Sequence, residues 1–182
     1  ARGFGLPNSE KKDSQGICFI GQVKMSDFLR AFVPDNPGRI IDLKGNVLGE
    51  HRGLHLYTLG QRRGIGVPSN AYREAYVVIA KRGEENELVV AFESEDTPLL
   101  YASSATVGDI SFVNAQPGAG MILAQPRYRT PAVAAELTVD GGGGGQVLFH
   151  KPQRALTPGQ ICAFYDGEVL LGGAVFTDIH HQ

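Results

Sequence analysis

The sequence predicts a mainly β protein, on three observations: abundant turn residues, short apolar runs at regular spacing, and helical periodicity confined to one short segment. Of 182 residues 24 are Gly and 10 Pro, well above a usual combined level of roughly 12%. Hydrophobic residues at 42% still supply a core, so disorder is excluded. A chain of 19.5 kDa holds one ordinary domain or two small ones. No apolar run approaches the roughly 18 residues of a membrane span, and the opening Ala1, Arg2, Gly3, Phe4, Gly5 lacks the layout of a secretory signal. A cytoplasmic protein with no membrane association is therefore expected. The absence of an initiating Met, and an opening that reads like the middle of a domain, lead to the expectation that the chain is part of something longer.

The first elements follow in order. Up to Gly21 the chain is polar and Gly-punctuated, with Ile17, Cys18, Phe19 and Ile20 reading as a short strand after a loop. Ser26 then precedes Phe28, Leu29, Phe32 and Val33, an N-cap followed by an apolar helical stripe, and Pro34 closes it. One short helix is predicted there. From Gly38 the period shortens. Residues 39–43 and 47–50 read as strands joined by Lys44, Gly45 and Asn46, with Gly45 supplying the positive φ such a connection needs. Residues 74–80 and 87–92 form a second hairpin, and the acidic stretch 93–98 reads as a linker.

Six further strand candidates occupy 105–113, 121–129, 132–139, 146–150, 160–165 and 168–176, separated by Gly, Pro, Asn or Asp. Six short strands at this spacing predict a small barrel. The run Gly141 to Gly145 is followed by neither Lys-Ser/Thr nor a helix, so it is predicted to be a hairpin tip rather than a phosphate loop.

Net charge is only −2, but it is unevenly spread. Residues 1–82 hold 13 Lys and Arg against 7 Asp and Glu, whereas residues 83–182 hold 4 against 12. The basic half suits a phosphate-bearing partner, or is simply a solvated face. Two cysteines, Cys18 and Cys162, do not make a disulfide framework, and with no CxxC motif or Cys/His cluster no metal is expected. His51 and His55 flank Gly53 with no acidic third ligand and are assigned to a turn or helix surface, His180 and His181 to a solvated tail.

Three places carry candidate chemistry. Cys18 follows Gly16 and lies near Lys11 and Lys12, whose charge favours thiolate. Its surroundings fit a nucleophilic or sulfur-carrying cysteine, whereas composition alone favours a buried apolar one between Ile17 and Phe19. Cys162, alternating with Ile161 and Ala163, shares a face with Phe164 and reads as core packing. The segment Thr58 to Gly66 sets Arg62 and Arg63 in a Gly-rich turn suited to phosphate oxygens, but Gly60, Gly64 and Gly66 do not form GxGxxG, so no dinucleotide site is indicated. Arg127, Tyr128 and Arg129 are predicted on a strand, the two arginines on one face and Tyr128 on the other. That combination suits an unpaired base and its backbone, and occurs also on solvated sheets.

Taken together, the motifs resemble a known family. Lys12-Asp13-Ser14-Gln15-Gly16-Ile17-Cys18-Phe19-Ile20-Gly21, Pro37-Gly38, Gly49-Glu50-His51-Arg52-Gly53, Tyr57-Thr58-Leu59-Gly60-Gln61-Arg62-Arg63-Gly64-Ile65-Gly66, Arg127-Tyr128-Arg129, Thr157-Pro158-Gly159-Gln160 and Leu171-Gly172-Gly173 occur in that order. The chain is thereby similar to the bacterial tRNA-specific 2-thiouridylases, along essentially its whole length. The resemblance implies an enzyme that replaces the 2-oxygen of the wobble uridine of tRNA with sulfur. An ATP-pyrophosphatase domain, using ATP with Mg, adenylates the 2-carbonyl oxygen, and a cysteine persulfide delivers sulfur. Cys18 matches the persulfide-bearing cysteine, Arg127, Tyr128 and Gln160 match tRNA contacts, and Arg62 and Arg63 are added here as backbone-phosphate contacts.

The resemblance also implies an organisation: residues 1–21 as the remnant of a catalytic domain carrying the cysteine loop, 22–97 as a small central β domain, and 98–182 as a six-stranded β-barrel similar to those of translation factors. The Ser-Gly-Gly-x-Asp-Ser signature of the ATP-pyrophosphatase domain is not in the sequence. No cofactor is therefore expected in this chain, ATP being bound by the missing domain. Its partners are expected to be that domain, tRNA and a persulfide sulfur donor, and the chain alone is expected to be inactive. The competing reading is a non-catalytic RNA-binding β module in which Cys18 is packing. A methyltransferase reading is weaker, because no S-adenosylmethionine loop is evident and a persulfide cysteine has no role in methyl transfer.

Overall fold

The computed structural model describes residues 25–68, 74–114, 120–128 and 130–181. The chain divides into two compact units, residues 1–35 and 36–182. In the first, helix α1 spans Met25–Arg30 and ends in a turn where the Val33 amide donates to the Leu29 carbonyl at 2.8 Å. Ser26 lies inside this helix, so the expected cap at Ser26 is corrected: the helical backbone is already formed one residue earlier. Phe28 and Phe32, four residues apart, bring their rings to 5.0 Å.

The second unit begins with two hairpins. Strands β1 (Gly38–Ile41) and β2 (Val47–His51) are joined by a turn in which the Asp42 carboxylate accepts from the Lys44 and Asn46 amides and the Asn46 side chain. Gly45 takes φ 85°, as that turn requires. Strands β3 (Tyr76–Arg82) and β4 (Glu87–Phe92) form the second hairpin. What joins them is a parallel pairing of β1 with β4, giving the order β2-β1-β4-β3. Central β4 is buried along nearly its whole length, which explains why Leu88, Val89, Val90 and Ala91 are apolar without alternation. Ile40, Val78, Leu88 and Val90 face the covering segment with Tyr57 and Ile65; Ile41, Val77, Ile79, Val89 and Ala91 face Leu100 and Ala155.

Strands β5 (Tyr101–Phe112), β6 (Gly120–Gln125), β7 (Val133–Val139), β8 (Gly145–Arg154), β9 (Ile161–Asp166) and β10 (Val169–His180) close into a barrel of order β10-β5-β8-β7-β6-β9. Inward positions alternate with outward ones and fill a narrow interior with Ala105, Ala124, Ala135 and Ala174 against Phe149, Phe164 and Phe176. The mainly β architecture and the six-stranded barrel are thus as the sequence predicts.

Several local expectations are corrected. The stretch 93–98 is an ordered turn: buried Thr97 donates its hydroxyl to the Phe92 carbonyl at 3.0 Å and accepts from the Ser94 amide at 2.7 Å. His51 is fully buried rather than at a surface. Strand β2 runs one residue past Glu50, and this places His51 opposite Gly38 with Nε2 3.0 Å from the Asn86 carbonyl. His180 and His181 are not a solvated tail. Strand β10 continues to His180, whose Nε2 lies 2.8 Å from the Thr106 hydroxyl, while His181 Nδ1 lies 3.2 Å from the Tyr101 carbonyl.

Candidate nucleic-acid interface

The arginine loop is anchored before it is charged. The Gly60 amide donates to the Val78 carbonyl at 2.8 Å and the Val78 amide to the Gln61 carbonyl at 2.9 Å, so residues 60–61 are zipped to the edge of β3. Gln61 closes the turn with its side chain: Oε1 accepts from the Thr58 amide at 3.1 Å and Nε2 donates to the Arg63 carbonyl at 2.8 Å. Gly60, at φ 79°, has no room for a side chain. A Cβ there would sit 2.7 Å from both the Ala155 methyl and the Arg154 guanidinium. Arg62 is 59% exposed and reaches Glu93 at only 3.6 Å, and Arg63 is exposed. Both are thus presented on a fixed backbone with little holding their charges back.

Arg127 and Tyr128 are not on a strand, which corrects the alternation expected for them. Pro126 supplies no amide to the ladder, β6 stops at Gln125, and the chain turns back at Arg127, whose carbonyl accepts from both the Thr130 amide and hydroxyl. The turn sends Tyr128 outward, 71% exposed. It sends Arg127 across to the 155–160 segment, where its Nε donates to the Gln160 side chain at 3.4 Å and its Nη2 to the Ala155 carbonyl. Arg127 has no carboxylate partner among the described residues, and burial, then the neighbouring Arg154 charge, push its pKa down. Arg127 and Gln160, 33 residues apart in sequence, are therefore side by side.

Two residues the sequence reading left out hold this region together. Arg154, the last residue of β8, donates Nε and Nη2 to the two Glu93 oxygens at 2.6 and 2.9 Å, and Nη2 also reaches the Gly60 carbonyl at 2.9 Å. Their hydrogen bond is the main cause lowering the Glu93 pKa and raising that of Arg154. Glu93 further accepts from the Tyr101 hydroxyl at 3.3 Å. Next to Arg154, Ala155 adopts φ 51° and Leu99 across from it φ 62°, left-handed conformations that cost an L side chain on the order of 1 kcal/mol each. A usable signal was available: residues 83–182 contain only four basic residues, so each was worth placing.

The other candidates separate from this group. Cys18 lies outside the described residues, as does Arg129. Cys162 is fully buried beside Phe164, and burial pushes its thiol to about 12, which removes it from chemistry at neutral pH. The glycine run 141–145 makes a tight turn in which the Gly142 and Gly144 amides donate to Asp140. A carboxylate already occupies those donors and would repel a phosphate, so ATP does not fit there. No cluster of three or more His, Cys, Asp or Glu suited to a metal occurs among the described residues.

Residues 26–92 match the family model described as tRNA methyl transferase PRC-barrel domain, and residues 102–176 match the aminomethyltransferase beta-barrel domain. The class is therefore that of proteins combining these two β domains. Among curated relatives, a tRNA-specific 2-thiouridylase MnmA of Akkermansia muciniphila is 52% identical over 179 residues, covering 98% of this chain and 50% of the relative. Those of Alcanivorax borkumensis and Neisseria meningitidis serogroup C are 43% and 40% identical, over 96% and 94% of this chain and 49% and 46% of their own lengths. The chain belongs to the tRNA-specific 2-thiouridylase family, and it spans about half the length of the curated relatives it matches.

Proposed function

We propose that the chain holds tRNA for 2-thiolation of the wobble uridine, with Cys18 as the sulfur-carrying residue and the Arg127–Gln160 region as an RNA contact. One observation carries the RNA half of this reading. Among the described residues, a half-buried arginine with no carboxylate partner stands beside Gln160 and next in sequence to an exposed tyrosine, while the exposed Arg62 reaches the same Glu93 that holds Arg154. Charged forks for phosphate beside an aromatic for a base suit an unpaired stretch of RNA. The 52% identical relative named as a 2-thiouridylase supports the same substrate.

In this reading ATP, with Mg, is bound by an ATP-pyrophosphatase domain outside these residues and makes the uridine C2 oxygen a leaving group. The outer sulfur of a Cys18 persulfide bonds to C2 as that oxygen departs with AMP. A second cysteine, also outside these residues, then attacks the inner sulfur. The S–S bond breaks, the outer sulfur remains on uridine, and a disulfide between the two cysteines is left for reduction. A sulfur donor is needed to load Cys18. The chain alone is accordingly inactive and located in the cytoplasm with its tRNA.

The test uses a protein carrying both the ATP-pyrophosphatase domain and these residues, supplied with ATP, a persulfide donor and a tRNA transcript. Cys18→Ser is expected to abolish thiouridine while leaving tRNA binding in place. Unchanged thiouridine would remove Cys18 from the mechanism and favour the RNA-binding module instead. Thiolation by the 182-residue chain alone would overturn the need for a second domain.

A further inference from the structure

Arg154 differs from the other arginines near it. Its side chain is 32% exposed, and both Nε and Nη2 are committed to protein acceptors. It has little left to offer RNA, but it links three things that RNA binding needs. Through Glu93 it fixes the end of β4; through the Gly60 carbonyl it fixes the loop that presents Arg62 and Arg63; through the backbone it fixes Ala155, whose carbonyl receives the Arg127 guanidinium. We propose that Arg154, locked by Glu93, is a positioning residue that sets Arg127 and the 60–63 backbone for RNA.

The left-handed backbone of Ala155 supports this. That conformation turns its carbonyl to accept from both Arg127 and the Thr157 hydroxyl, at 3.2 Å for the latter, while its amide donates to the Leu100 carbonyl. An alanine held in that region needs its neighbours to over-determine it, and such strain concentrates where a functional group must be aimed. Charge points the same way. The Arg154 guanidinium lies near enough to Arg127 to disfavour its charge, and Glu93 offsets the Arg154 charge through two short bonds. A lysine would keep the charge but lose the planar fork that serves Glu93 and Gly60 together.

This inference rests on Arg127 contacting RNA, and a double-mutant cycle separates the two claims. Binding of a labelled, unmodified tRNA transcript to this chain is measured across a salt series for the parent, Arg127→Ala, Arg154→Lys, and both together. Arg127→Ala is expected to weaken binding roughly tenfold and flatten the salt slope by about one. Arg154→Lys is expected to do nearly the same although no charge is lost, and the double variant to be no worse than Arg127→Ala. Coupling of that kind is what neighbouring residues acting as one unit show, whereas independent sites add. Glu93→Gln is the second variant: it leaves Arg154 unneutralised and is expected to weaken binding non-additively with Arg127→Ala. A tenfold loss from Arg154→Lys that multiplies with that of Arg127→Ala would overturn positioning. So would Arg154→Lys and Glu93→Gln binding like the parent. Arg127→Ala binding like the parent would overturn the RNA contact and this inference together.

Discussion

The barrel has two ends made from the same six strands and one shared core, and they differ in chemistry. At one end, where β5 begins and β8 and β10 finish, Arg127, Arg154 and Gln160 lie together, Ala155 is in a left-handed conformation, and the forks of both Arg127 and Arg154 are tied to protein acceptors. At the other, where β9 turns into β10 and β6 begins, Val113, Met121, Val169 and Leu170 are 46–74% exposed, and the 140–144 turn is closed by its own Asp140 and by the Ile110 amide donating to the Gly143 carbonyl. The barrel interior does not discriminate between them. The difference teaches that the strands supply a common mount, and that the candidate contacts are gathered at one end by the segments that join them.

The comparison breaks most severely if the common mount is removed. Phe176 is 1% exposed, and its backbone also grips the 157–160 loop, its amide donating to the Gln160 carbonyl at 2.9 Å and its carbonyl accepting from the Gly159 amide at 2.8 Å. Phe176→Ala is expected to cost about 3–5 kcal/mol by urea denaturation, and to abolish RNA binding with it. Met121→Ser, at the far end and 74% exposed, should stay within about 0.5 kcal/mol and leave RNA binding unchanged. Equal costs for the two would mean that the ends are not carried on one core.

A smaller break separates charge from stacking at the Arg127 end. Tyr128→Ala removes a ring rather than a charge, so it is expected to weaken binding of a single-stranded RNA loop by about 1–3 kcal/mol without altering the salt slope. Arg127→Ala, in contrast, should lower that slope by about one. If Tyr128→Ala changed the slope as well, the two residues would not be divided between base and phosphate.

Much of this architecture was legible in the chain, and the gaps have physical causes. Apolar runs and turn residues located the ten strands found among the described residues of the second unit, because those signals are local. The parallel joining of β1 to β4 was not legible, since no local pattern encodes a partner 48 residues away such as Glu87 opposite Arg39. At the candidate site, Arg127, Gln160, Arg62 and Arg63 stood out through their motifs. Arg154 and Glu93 did not, because one was read as lying beyond a strand and the other as linker. Their importance lies in a contact 61 residues apart. Pro126 was the signal that strand periodicity should have stopped before Arg127.

The two cysteines sharpen the same contrast between mount and function. Burial places the Cys162 thiol near 12, so at pH 8 the native chain should leave it unlabelled by a water-soluble maleimide, whereas denaturation exposes it. Peptide mapping identifies which residue reacted. Native labelling at Cys162 at a rate like that of an exposed thiol would show that the barrel core opens to solvent.

The smallest expected effect is a pH dependence at the junction. Hydrogen bonding and charge from Arg154, with a lesser part from Arg62 and the Tyr101 hydroxyl, hold the Glu93 carboxyl below its ordinary 4.5 in the folded protein. A group whose folded pKa is depressed binds its proton more readily when unfolded. Its contribution is therefore fully present above the unfolded value and is lost as pH falls from about 4.5 through the lower folded value. Denaturation midpoints measured from pH 7 down to 3 should fall more steeply for the parent than for Glu93→Gln, the two curves converging at the acid end. Carboxylates elsewhere titrate in both proteins and cancel in the difference. A constant gap across the range would show that Glu93 acts through shape rather than charge. A widening gap toward acid would place its folded pKa above the ordinary value, and Arg154 would then be joined to something other than an ionised carboxylate.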